Sequence, residues 1–123
     1  MILKNNLYKV LNVDSDARSF SLELIEDCPI YRAHFPERPI TPGVCIIQIA
    51  TELLASLLQQ DLQLSDVSNA KFLAVIDPSA TKRISVSFDK IAPGGDDLSI
   101  KTQVRVHNDE TLFSKLSLSF IKK

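Results

Sequence analysis

The chain has 123 residues, 45% of them hydrophobic, and 14 basic residues against 15 acidic ones give a net charge of −1. That length suits one domain with a real core, spanning 1–123, and the hydrophobic content excludes a disordered chain, as the three glycines exclude a collagen-like one. The balanced charge gives no electrostatic footprint for nucleic acid, and the adjacent basic pairs, Lys82-Arg83 and Lys122-Lys123, read as solvated strand ends.

The N-terminus, MILKNNLYKV, has no apolar stretch of signal-peptide length. Leu7, Lys9, Leu11 and Val13 fall on one side of a period-two segment, and residues 14–17 supply turn chemistry. Phe20, Leu22 and Leu24 then alternate with Ser19, Ser21 and Glu23, which completes an expected β-hairpin. Residues 28–43 hold Pro29, Pro36, Pro39, Pro42 and Gly43, so a loop is expected there, with neither a helix nor a central strand.

A helix is expected from about Thr41 to Gln60, with Thr41 as N-cap and Pro42 at the first helical position. Its apolar set (Val44, Ile46, Ile47, Ile49, Leu53, Leu54, Leu57, Leu58) is wider than a stripe, so it needs cover on most sides. Gln48, Thr51, Glu52 and Ser56 interrupt this segment, and a membrane span needs about 20 mostly apolar residues. The expected address is the cytoplasm. Residues 70–76 form a short apolar strand. Ile84, Val86 and Phe88 alternate with polar residues, as do Leu98, Ile100, Thr102, Val104 and Val106, and then Leu112, Leu116, Leu118 and Phe120. Turns at 93–97 and 108–110 separate the last three runs.

The expected fold is therefore α+β: two strands, one long buried helix, then about four strands, joined by short turns that imply antiparallel pairing. A sheet curled around the helix satisfies this order and leaves edge strands that a second copy would cover. Cys28 and Cys45 form no CxxC pair and read as free thiols that pack as small apolar groups.

Chemistry concentrates in residues 34–44, HFPERPITPGV. An imidazole on a proline-braced loop is followed nine residues later by Gly43 at a helix start. The first N–H groups of a helix lack internal partners and carry the positive end of its dipole. A thioester carbonyl placed there would be polarised and its α-proton acidified; glycine permits the approach, and an imidazole can take the proton. The plainer alternative also stands: a loop histidine satisfied by packing, and a Pro-Gly pair that merely starts a helix.

His-Phe-Pro at 34–36, Pro39, and Pro42-Gly43-Val44 followed by Ile46-Ile47 resemble the signature of the β-hydroxyacyl-acyl-carrier-protein dehydratases of the FabZ and FabA type. The resemblance extends more loosely to residues 71–78. It implies a hotdog fold of about six strands around one central helix. It also implies that His34 is the base, that the Gly43 amide binds the carbonyl, and that Phe35, Pro42 and Val44 adjoin the substrate. Active sites of that family lie at a dimer interface, with the histidine and an acidic residue from different subunits. No metal or nucleotide cofactor is implied, since the substrate rides on phosphopantetheine.

Three departures stand out. Ala33 replaces a glycine, Glu37-Arg38 replaces a smaller, less charged pair, and Gln48 stands where the family carries its Glu or Asp. Glutamine cannot act as an acid. Four residues on, where the family commonly has glutamine, stands Glu52, on the same helix face. The exchange leads to the expectation that Glu52 supplies the acid or holds a water that does; the competing reading is a polar residue on an exposed stripe. His107 reads as a turn residue, Asp14 and Asp16 as turn formers, and Cys45 as packing. Arg32, Lys71, Lys82 and Arg83 could meet an acidic carrier protein.

Three functions follow. The first is a dehydratase of 3-hydroxyacyl carrier thioesters in fatty-acid or specialised polyketide or aryl-polyene synthesis. The second is a binding subunit beside an active, unlike hotdog partner. The third is an acyl thioesterase. Acyl carrier protein is the expected partner, and a homodimer, an oligomer of dimers or a heterodimer the expected assembly.

Overall fold

The computed structural model describes residues 2–34 and 37–123, with His34 described by its backbone alone. The order is β1 (Tyr8–Asp14), β2 (Ser19–Leu24), α1 (Pro29–His34), α2 (Gly43–Leu58), β3 (Leu62–Phe72), β4 (Arg83–Pro93), β5 (Ser99–His107) and β6 (Leu112–Lys122). The strands form one six-stranded sheet in the order β1-β2-β4-β5-β6-β3, and every pairing is antiparallel. Phe20, Leu22 and Leu24, then Ile84, Val86 and Phe88, then Leu116, Leu118 and Phe120 all face the core, as their alternation requires. They close on Cys45, Ile46, Ile49, Ala50, Leu53 and Leu54 of α2 in a single apolar cluster. The rings of Phe20 and Phe88 meet edge to face at 6.0 Å. Among the described residues, no helix is long and apolar enough to cross a membrane.

Several local expectations are corrected. Residues 28–43 are not all loop: α1 occupies Pro29–His34. Pro29 opens that helix, where its missing N–H costs nothing, and the later prolines lie beyond its end. The N-cap of α2 is Pro42, in extended backbone (φ −63°, ψ 148°), and its carbonyl accepts from Cys45 N and Ile46 N at 3.0 and 3.1 Å. The helix ends at Leu58 on a left-handed Gln59. The strand expected at 70–76 begins at Leu62 and stops at Phe72. In β1 the buried face belongs to Tyr8 and Val10, and Leu11 and Val13 are 46% and 45% exposed. A register shift between Val10 and Asn12 changes the parity of the strand and sets Val13 opposite Phe20, near the exposed end of this edge strand.

The helix is less enclosed than its composition requires. Val44 is 68% exposed, and β3, an edge strand, buries only Leu62 along its length.

His107 is the last residue of β5 rather than a turn residue. Its Nε2 lies 2.8 Å from Ser87 Oγ, which lies 3.0 Å from Ser19 Oγ. Burial, then the Arg105 charge, holds its pKa below the usual 6.5. Its folded pKa is depressed, so its contribution to stability is present above pH 6.5 and is lost as pH falls through the folded value. Urea melts of His107→Gln at stepped pH are expected to lose less stability than the parent below pH 6.5.

Candidate active site

Two elements of the signature are tied together by one buried contact. Tyr31, on α1 three residues before His34, hydrogen-bonds through its hydroxyl to Thr41 Oγ1 at 3.0 Å. Thr41 also donates its N–H to Ile76 O at 2.8 Å and stands two residues before Gly43. Burial pushes the Tyr31 phenol up to about 12, against a lowering from the Thr41 hydrogen bond. The strap between the two helices is thus anchored at both ends, whatever path the intervening residues take. Thr41→Val would leave the Tyr31 hydroxyl buried without this partner. It is expected to cost about 1–3 kcal/mol in denaturant melts, with Thr41→Ser restoring most of the loss.

Gly43 opens α2. Among the described residues, neither its N–H nor that of Val44 donates to a protein acceptor. These are the orphan amides a helix start offers to a carbonyl or an anion. A Cβ placed on Gly43 would lie 2.9 Å from Phe72 Cζ, so the ring packs directly against the glycine. Phe72 was not singled out from the sequence. Its signal is positional, since it ends the strand that follows the helix.

Gln48 and Glu52 are both half-buried and share one face of α2, as their spacing requires. Glu52 Oε2 accepts from Leu3 N at 2.8 Å and from Gln48 Nε2 at 2.9 Å. Its Oε1 accepts from Lys4 N and from the Tyr8 hydroxyl, both at 2.9 Å. Four donors therefore converge on one carboxylate, which rules out the exposed-stripe reading. Burial, followed by the charge of Glu52, raises the Tyr8 phenol well above its ordinary value. The hydrogen bond to a carboxylate also fixes which end of the Gln48 amide is nitrogen. Gln48 borders a cleft of about 460 Å³ between α2 and β3, together with Val44, Ile47 and Leu64.

Phe35, Pro36 and the imidazole of His34 lie outside the described residues; the His34 backbone ends α1. Cys45 is buried, burial raises its thiol, and it packs in the core with Cys28. Arg32, Lys71, Lys82 and Arg83 are all exposed. Among the described residues, no cluster of three His, Cys, Asp or Glu side chains is arranged to hold a metal ion.

Comparison with known proteins bears on the family and the fold. The chain is 33% identical over 70 residues to the 3-hydroxyacyl-[acyl-carrier-protein] dehydratase FabZ of Rickettsia bellii, an alignment covering 50% of this chain and 48% of that protein. The chain thus spans about half the length of the curated relatives it matches. The dehydratase heterocomplex ApeI:P from Xenorhabdus doucetiae superposes with a TM-score of 0.71 at 17% identity, over 93% of this chain and 97% of that one. A putative thioesterase from Ralstonia eutropha superposes with a TM-score of 0.60 at 11% identity, over 97% and 87%. Both structures share the hotdog fold with this chain, and at such identities the fold alone follows. A model of the ApeI-like family, described as ApeI dehydratase, matches residues 11–110, and the chain belongs to that family of FabZ-like hotdog dehydratases.

Proposed function

We propose that this chain eliminates water from a 3-hydroxyacyl thioester to give the trans-2-enoyl thioester. The observation that carries the reading is the pair of amides at Gly43 and Val44, without an acceptor among the described residues, at a helix start whose preceding strap is tethered to the helix that ends in His34. The thioester carbonyl accepts the Gly43 N–H, which stabilises the negative charge that develops as the α-proton leaves. The His34 imidazole takes that proton. The Cα–H electron pair becomes the new double bond, the C3–O bond breaks, and the imidazolium returns its proton to the departing oxygen, so one water leaves.

Gln48 holds the 3-hydroxyl by hydrogen bonding, and Glu52 orients Gln48. Glu52 is assigned this role rather than that of the acid because both its oxygens are already taken by donors. The reading calls on no metal or nucleotide. The acyl group arrives on the phosphopantetheine of a carrier protein in the cytoplasm, and a second hotdog chain covers β3 and Val44.

A second reading is favoured by Gln48, which cannot supply a proton. In it the chain holds the carrier thioester beside an active, unlike hotdog subunit; the Xenorhabdus neighbour is itself a heterocomplex. The test is conversion of a 3-hydroxyacyl carrier-protein thioester by the purified chain. Enoyl product from the chain alone supports the first reading, and product only after an unlike hotdog subunit is added supports the second. Release of free thiol overturns both in favour of a thioesterase.

A further inference from the structure

Phe72 closes β3 and pairs directly across the sheet with Ser114 of β6. Residues directly opposite in antiparallel strands point to the same face of the sheet. Here that face is the inner one, since Ser114 also pairs with Val106, a core residue. The Phe72 ring reaches from this face to the start of α2, where it packs against Gly43. Because Cβ bonds tilt toward a helix N-terminus, a ring at that position stands beside the open amides of the first turn.

Ser114 is anomalous in this setting. It is 0% exposed, and among the described residues its Oγ is the buried side-chain polar atom without a hydrogen-bond partner. A hydroxyl buried among apolar groups is costly and is normally satisfied. Its directly facing neighbour, Phe72, is 50% exposed. The residue paired with Ser114 on this face is thus only half covered by other packing.

We infer that Phe72 and Ser114 form the wall of the substrate pocket beside the Gly43 amide, with Ser114 donating a hydrogen bond to the bound acyl thioester and the Phe72 ring setting how deeply it enters. Both would touch the substrate directly, and the inference rests on the proposed dehydratase reading. Ring displacement opens the Ser114 hydroxyl to the polar thioester segment while the apolar acyl chain takes the ring's place against the strand end.

The wild-type chain, with the unlike hotdog subunit where it requires one, is assayed beside Ser114→Ala, Phe72→Leu and Phe72→Ala with a 3-hydroxyacyl carrier-protein thioester. A structural hydroxyl and a ligand-binding hydroxyl give opposite signatures. Removing an unsatisfied buried hydroxyl is expected to leave the melting temperature unchanged or raised. The same variant is expected to lose about tenfold in kcat/KM, the worth of one hydrogen bond to substrate. Phe72→Ala is expected to raise KM more than it lowers kcat, and Phe72→Leu to sit between it and the parent. In Gly43→Ala, added Phe72→Ala is expected to restore stability, since the clash is with the ring. Unchanged kcat/KM in Ser114→Ala, or a Phe72→Ala defect seen only as lost assembly with KM intact, overturns the inference. Absence of wild-type turnover with and without the unlike subunit overturns the dehydratase reading instead.

Discussion

His34→Ala is expected to lower dehydration by about 10²–10⁴-fold, the usual worth of a positioned base. The argument is local. His34 is the last residue of α1, a helix held in place by Tyr31 through Thr41 and by the Tyr31 N–H to Cys28 O bond at 3.1 Å. Neither anchor uses residue 34, so truncation there should spare the fold. The melting temperature of His34→Ala is expected to stay within about 2 °C of the parent, the scatter of ordinary surface changes. Enoyl product is followed by absorbance under saturating and limiting substrate. A loss in kcat and kcat/KM together places the imidazole in the transition state, and a rise in KM alone would reduce it to a binding group. Turnover equal to the parent removes the base from the proposal.

The sheet was legible because its strands obey a period of two wherever one face is buried. Phe20 to Leu24, Ile84 to Phe88 and Leu116 to Phe120 each place their apolar side inward. Legibility failed at irregularities. In β1, Leu11 falls at a register shift, and Val13, although opposite the buried Phe20, stays exposed near the end of an edge strand. The early residues of β3 were missed because an edge strand exposed along most of its length has no alternation to read. Proline counting hid α1, since Pro29 initiates a helix as readily as a loop.

The candidate site divides the same way. A helix beginning close to Gly43 followed from Pro-Gly and the apolar run behind it, with the cap falling on Pro42 rather than Thr41. Tyr31 meets Thr41, and Phe72 meets Ser114, through pairings that no spacing in the chain announces. The contacts that are described lie on either side of the loop signature: Tyr31 of α1 holds Thr41, and Thr41 in turn donates to Ile76, two residues before the start of α2.

Glu52→Ala is expected to destabilise the chain by about 3 kcal/mol, less than the sum of its four bonds because part of the site is open to water. That corresponds to a melting temperature lower by about 10 °C. Removing the carboxylate strips the acceptor from Leu3 N, Lys4 N, the Tyr8 hydroxyl and Gln48 Nε2 together. The segment before β1 would then lose its hold on α2, and the Gln48 amide would lose this acceptor. Glu52→Gln keeps one acceptor oxygen but turns an NH₂ group toward donors, so its loss should fall between parent and Ala. Tyr8→Phe removes one of the four bonds and tests the same clasp from the other side. The Tyr8 phenol is raised in the fold, so its contribution is whole below pH 10 and is lost as pH climbs toward the folded value. Tyr8→Phe is therefore expected to flatten the alkaline decline in stability above pH 10. The catalytic readout separates a clasp from an acid. If Glu52 orients Gln48, activity lost in Glu52→Gln should track lost stability and resemble that of Gln48→Ala. A Glu52→Gln chain as stable as the parent but without turnover would instead make Glu52 the proton donor, with the four donors rearranging when substrate binds.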